Sequence, residues 1–141
     1  DHVFNSNENK MSWQAYVDDQ LIGTTHVNKA CIIGLNGGIW AQSAGFAITP
    51  EECMAIATQA NGLPGSVLGE HATPVVLCGA KYMVLRADDN VFYIRQGADG
   101  ACIAKTNQCV LLGMYGDGMQ PGDCNVTVEK LADYLKDNGY Y

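Results

Sequence analysis

Charge is in short supply in this sequence. Only 16% of its 141 residues are Asp, Glu, Lys or Arg, against about 25% in an average soluble chain. Much of the surface must therefore be Gly, Ser, Thr, Asn, Gln and aromatic side chains, which suits contact with partners better than free solvation. Basic residues are the scarcest: eight Lys and Arg against fifteen Asp and Glu leave a net charge of −7. Nucleic-acid binding needs a positive field and counterion release, so no nucleic-acid partner is expected. An anionic membrane can be met only through a local basic cluster. No apolar run approaches the roughly 18 residues of a membrane span, and no signal-peptide core precedes the domain. Cys-x-x-Cys pairs are absent too. The six cysteines, at 31, 53, 78, 102, 109 and 124, fall mostly in or beside apolar runs. That pattern reads as buried free thiols in a reducing cytosol rather than a disulfide framework.

Catalytic signatures are missing as well. His2, His26 and His71 stand at no metal-site spacing to cysteines or carboxylates. There is no Gly-x-Ser-x-Gly elbow and no Walker loop. No histidine can be matched to a cysteine nucleophile. Asp88-Asp89-Asn90 lacks the remaining ligands of a calcium loop, and the sequon Asn125-Val126-Thr127 would stay unmodified in the cytosol. Neither a metal nor a cofactor is expected.

What is present suffices for one domain, since 48% of the residues are hydrophobic and the length allows a real core. Residues 1–10 are polar and aperiodic, and read as a disordered extension or expression remnant. The domain then runs from Met11 over 11–141. Ser12 can cap a helix whose Trp13, Tyr16, Val17, Gln20 and Leu21 form one stripe, ended by Gly23. Ala30 to Leu35 predicts a buried strand, turned by Asn36-Gly37-Gly38 into a partner, Ile39 to Ser43, that carries Trp40. Thr49-Pro50-Glu51-Glu52 opens a second helix with cap, first-turn proline and capping-box glutamate in place, and Asn61-Gly62 stops it. Short strands follow over 75–78, 81–87, 91–96, 101–106 and 109–115, with Asp88-Asp89-Asn90 and Gly97 to Gly100 as turns. The loop from Gly116 to Gly122 leads into a last helix carrying Val126, Leu131, Tyr134 and Leu135. Helix, hairpin, helix, meander, helix argues for an α+β domain built on a central antiparallel sheet.

The aromatics concentrate at the two ends. Trp13 and Tyr16 share a helix face, and Tyr134, Tyr140 and Tyr141 sit on or after the last helix. If the terminal helices pack together, the rings form one exposed strip. Such a strip suits a polyproline II ligand, whose rings fit between aromatic faces and which loses little entropy on binding. Spacing alone leaves ordinary core packing open.

Met11-Ser12-Trp13-Gln14-Ala15-Tyr16-Val17-Asp18-Asp19 resembles the opening of profilins, closest to the plant, yeast and amoeba forms. Similar stretches continue in family order: Ala30-Cys31-Ile32-Ile33-Gly34, Trp40-Ala41, Lys81 to Asp89 (Lys-Tyr-Met-Val-Leu-Arg-Ala-Asp-Asp) and Leu131-Ala132-Asp133-Tyr134-Leu135. The resemblance covers Met11 to Tyr140. It implies a profilin-like fold, with the N- and C-terminal helices together on one face of the sheet and a further helix and hairpin on the other. It also implies a non-enzymatic, monomeric, cytoplasmic and cytoskeletal protein that binds monomeric actin and proline-rich segments of formins and related assembly factors. The peptide site would use Trp13, Tyr16, Trp40, Tyr134 and Tyr140, with Leu135 as apolar floor. The actin face would use Lys81, Arg86, Arg95, Met119, Gln120, Gly122, Asn125 and Lys130. Lys81, Arg86, Arg95 and Lys105 are the candidates for phosphoinositide headgroups. That contact is expected to be weak, because Gly97 stands where many relatives carry a basic residue. By the same resemblance the protein would cap the barbed end of the monomer, block nucleation, permit barbed-end delivery and speed nucleotide exchange. Two alternatives stay open: a polyproline adaptor with weak or no actin binding, and a thiol-dependent enzyme.

Overall fold

Ser12 starts the fold as its sequence position predicts, its Oγ accepting from the backbone N–H of Ala15 at 3.0 Å. The structure is a computed structural model and describes residues 12–138. The expected extension over 1–10, the domain start at Met11, and Tyr140 with its neighbour Tyr141 lie outside the described residues. The first helix, α1 (13–24), runs through three registers: α over Trp13–Ala15, π over Tyr16–Leu21 and 3₁₀ over Ile22–Thr24. This corrects the expected single regular helix. It stops not at Gly23 but at Thr25, whose φ of 68° is left-handed and whose N–H closes the last turn on Ile22 O.

Seven strands follow: β1 (Lys29–Gly34), β2 (Ile39–Gln42), β3 (Val75–Leu77), β4 (Ala80–Ala87), β5 (Val91–Gln96), β6 (Asp99–Lys105) and β7 (Cys109–Tyr115). They form one sheet in the order β2-β1-β7-β6-β5-β4-β3, and every neighbouring pair is antiparallel. The last five strands are the predicted meander. The β1–β2 hairpin extends the sheet rather than lying on its second face, because β1 pairs with β7 from Lys29↔Met114 to Gly34↔Cys109. The turn after β5 is shorter than expected. Gly97, at φ +60°, takes the left-handed position that side chains resist, and β6 already begins at Asp99.

Strand alternation sorts the core into two halves. Ala30, Ile32, Tyr93, Cys102 and Leu111 point to one face, under α1 and the C-terminal helix α3 (Pro121–Asp137). Cys31, Ile33, Phe92, Ile94, Ile103 and Leu112 point to the other, under α2 (Pro50–Asn61). The α2 capping box forms as predicted: Thr49 Oγ1 accepts from Glu52 N and Glu52 Oε1 accepts from Thr49 N, both at 3.1 Å. The same carboxylate accepts from Cys78 N at 2.9 Å and Gly79 N at 2.8 Å, which ties the helix start to the β3–β4 turn.

Helix α3 starts within the predicted loop, since Pro121 is suited to a first helical position where no N–H is needed. Its buried stripe is Cys124, Val128, Leu131, Ala132 and Leu135. Val126 lies off that stripe and is 56% exposed. The helix lies directly on β7, where a Cβ on Gly113 would stand 2.5 Å from Val128 Cγ2. All six cysteines are free thiols and all but Cys78 are buried.

Candidate functional site

The terminal helices share one face of the sheet and run antiparallel. Just past α1, His26 Nδ1 lies 3.8 Å from Asp123 Oδ2 at the start of α3, while Tyr16 and Tyr134 line one groove near the other end of the pair. The rings of Trp13 and Tyr16 are 5.8 Å apart between centroids, and those of Trp13 and Trp40 4.9 Å, both tilted. Helix α1 and strand β2 thus bring the three N-terminal rings into one cluster. The expected strip of exposed rings needs correction. Trp13 is 2% exposed, and Tyr16 and Leu135 are also buried. They lie on the stripes facing the sheet and pack with Val17 and Leu21. Trp40 is half-buried, and Tyr134, 47% exposed, offers the open ring.

The groove itself has a volume of about 510 Å³. Tyr16, Gln20 and Thr24 come from α1, and Thr127, Lys130, Leu131 and Tyr134 from α3. On α3 these are spaced i, i+3, i+4 and i+7, which is one helix stripe. Lys130, expected with the actin residues, therefore stands in the groove wall.

Beyond the cover of α3, the same face of the sheet is bare along β4 and at the Arg95 end of β5. Cross-strand partners share a side, and Met83 faces Arg95 while Arg86 faces Tyr93. A register shift between Val84 and Arg86 brings Arg86 onto this side. Lys81, Met83 and Arg95 surround a shallow hollow of about 460 Å³. Met83 is 69% exposed, an apolar centre between two cations. Arg95 Nε donates to Gly97 O at 2.9 Å.

Arg86 is held by three groups. Its guanidinium carbon lies 4.8 Å from the Tyr93 ring centroid, and Nη2 lies 3.2 Å from Tyr93 Oη and 3.4 Å from Asp88 Oδ2. Tyr93 Oη donates to Glu129 Oε2 on α3 at 2.6 Å. Burial pushes the Tyr93 phenol well above the usual tyrosine range, and the hydrogen bond and negative charge of Glu129 push it further. Met119, Gln120 and Gly122 stand at the α3 entrance, and Met119 Sδ accepts from Gly116 N at 3.3 Å. Asn125 lies four residues before Glu129, on the same side of the helix.

The four phosphoinositide candidates do not form one patch. Lys105 pairs with Val110 and, two residues from Ile103, shares its side of the strand, so it faces the α2 side, opposite Lys81, Arg86 and Arg95. Tyr93, Glu129, Gln20 and Met83 were not expected in the site. The alternation of strand 91–96 signals that Tyr93 and Arg95 share a side, but nothing local signals Glu129. Among the described residues no group of three or more His, Cys, Asp and Glu is placed to hold a metal ion, and no helix is long and apolar enough to cross a membrane.

Compared with known proteins, residues 11–140 match the family model described as Profilin. The chain belongs to the profilin family. It is 45% identical over 130 residues to Profilin-A of Physarum polycephalum, which covers 92% of this chain and 100% of that one. Among solved structures, profilin IB of Acanthamoeba castellanii superposes with a TM-score of 0.81 at 43% identity, covering 91% of this chain and 99% of the other. Mouse profilin IIa, solved in complex with a double repeat from the FH1 domain of mDia1, gives 0.70 at 25% identity, covering 92% and 99%. The profilin fold explains why two helices far apart in sequence meet on one sheet face.

Proposed function

We infer that this chain works as its family does, binding one actin monomer on one surface and proline-rich peptides on another, and so regulating filament assembly and nucleotide exchange on actin. It is a binding protein without catalytic chemistry of its own, and it works in the cytoplasm and on the cytoskeleton. The peptide site is the Trp13, Tyr16 and Trp40 cluster with Tyr134 and Leu135, together with Tyr140. Buried Trp13 and Leu135 act as floor and brace, and Tyr134 supplies the open ring. The actin face centres on Lys81, Arg86 and Arg95 beside Met119, Gln120, Gly122 and Asn125, with Lys130 at its border with the groove. Phosphoinositide headgroup contact falls to Lys81, Arg86 and Arg95, with Lys105 on the far side.

The observation that carries this reading is the joining of both terminal helices over one part of a sheet face, with a basic, apolar-centred part of that face left bare beside them. The complex of mouse profilin IIa with an FH1 repeat supports the peptide half. The test is actin assembly kinetics and retention on immobilised polyproline with the parent, Arg86→Glu and Tyr134→Ala. Arg86→Glu is expected to abolish monomer sequestration and keep polyproline retention, and Tyr134→Ala to do the reverse. Trp13→Ala is a poor probe, because emptying a buried indole site costs about 3–5 kcal/mol of stability. If neither variant differs from the parent, the residue assignment is wrong. Polyproline retention by a parent that leaves actin assembly unchanged would identify an adaptor instead.

A further inference from the structure

A run of prolines offers carbonyl acceptors and no N–H donors. A groove wall recognises it through the donors that remain after its own internal bonds are made. Besides the phenols of Tyr16 and Tyr134, which belong to the ring site, four polar side chains line the groove between α1 and α3. Thr24 Oγ1 donates to Leu21 O at 2.7 Å and Thr127 Oγ1 to Asp123 O at 2.8 Å. Both hydroxyl protons are thus engaged within their own segments. The Gln20 amide and the Lys130 ammonium remain, one on each wall, and neither has a hydrogen-bond partner among the described residues. Lys130 is also the one charge in the lining, and it is positive on a chain whose net charge is −7.

The groove continues from the ring cluster rather than lying apart from it. Tyr16 packs against Trp13 on one side and lines the groove on the other. From Tyr134 back to Thr127 the wall runs about 10 Å along α3, at ~1.5 Å per residue. A polyproline II chain rises ~3.1 Å per residue, so about three further residues fit.

We propose that the Gln20–Lys130 end of the groove is a second peptide subsite. It takes the part of a proline-rich segment that runs on past the residues held by the rings. Gln20 Nε2 and Lys130 Nζ donate to its carbonyls from opposite walls, while Leu131 forms the floor. This rests on the peptide-binding reading above, and it assigns Lys130 a role in choosing longer proline-rich segments over shorter ones.

The experiment compares two oligoprolines, of about six and about twelve residues, binding to the full chain and to the double variant Gln20→Leu, Lys130→Met. Both positions are exposed, so the fold is retained, which a thermal melt checks. The parent is expected to bind the longer peptide more tightly, and the double variant to lose about tenfold for that peptide while matching the parent for the shorter one. Equal losses for both peptides, or no loss for either, overturn the subsite. A parent that binds neither peptide overturns the peptide-binding reading and the subsite together, which separates the two failures.

Discussion

Tyr93→Phe tests the network that holds Arg86 to α3. The substitution keeps the buried ring and removes one oxygen, so no cavity of consequence forms. What is lost is the 2.6 Å hydrogen bond to Glu129 Oε2 and the 3.2 Å contact from Arg86 Nη2. A hydrogen bond to a charged group contributes about 1.5–3 kcal/mol. Glu129 is only half-buried and recovers some hydration, so the lower end applies, about 1.5–2 kcal/mol. For a chain of this size that lowers Tm by about 5–7 °C. The ring contact with Arg86 survives in phenylalanine, so actin affinity should fall by no more than about threefold, whereas Arg86→Ala should lose most of it.

The pH dependence makes the test specific. The folded-state pKa of Tyr93 lies well above the usual tyrosine range, through burial first and Glu129 second. An unfolded tyrosine titrates near pH ~10. A raised pKa contributes stability that is complete below the unfolded value and lost as pH climbs toward the folded one. The stability difference between parent and Tyr93→Phe, measured by urea unfolding, should therefore be flat from about pH 7 to 9 and shrink above about pH 10. A variant within about 0.5 kcal/mol of the parent, or a difference with no alkaline slope, would refute the reasoning.

Three further outcomes follow from other contacts. Burial alone would raise the Glu52 carboxyl, but the backbone N–H groups of Gly79, Thr49 and Cys78 outweigh it and hold the group below its ordinary value; its stabilisation is present above the unfolded carboxylate pKa and fades as pH falls through the folded one. Glu52→Gln should cost about 1–2 kcal/mol at neutral pH and little in acid, as paired denaturation curves would show. Gly113→Ala should cost about 1–3 kcal/mol by pushing α3 off β7, with partial recovery in combination with Val128→Ala; an unchanged melt would mean that α3 does not sit where described. In native thiol titration only the exposed Cys78 should react readily, and more slowly than a free thiol, since burial and then Glu52 raise its pKa; fast reaction of a second cysteine before unfolding would contradict the packing.

What could be read from the chain was whatever is encoded locally. The capping box at Thr49 and Glu52 depends on residues three apart, and the meander turns on Asp, Asn and Gly at fixed offsets, so both appear as expected. The π register of α1 has no such local signature. The start of α3 has one, Pro121 at the first helical position, but the glycine-rich stretch around it reads as loop. Ring spacing placed Trp13 and Tyr16 on one face but could not say that this face points into the sheet. The pairing of β1 with β7 joins residues some eighty positions apart, and the Tyr93–Glu129 bond follows only from the docking of α3 on the meander. The Lys105 side of the sheet is decided by alternation within β6, and the predicted strand 101–106 already sets Lys105 beside Ile103 on one face.

Helix α3 gives the proposed sites their common frame. One stripe, Cys124, Val128, Ala132 and Leu135, is clamped to the sheet at Gly113. A second, from Thr127 through Lys130 to Tyr134, faces the peptide groove. A third edge carries Glu129, which fixes Tyr93 and through it Arg86. Because the stripes point in different directions from one rigid rod, a peptide in the groove and a protein on the bare strands need not collide. A partner that holds a proline-rich segment thereby also holds whatever is bound at Arg86, and raises its local concentration without any change of shape in this chain. Lys130 stands in the groove wall and not around the hollow of Lys81, Met83 and Arg95, so a longer peptide that reaches it stays clear of the proposed actin face. Joint binding of actin with long as well as short proline-rich segments is what that placement requires, and competition from the long ones alone would contradict it.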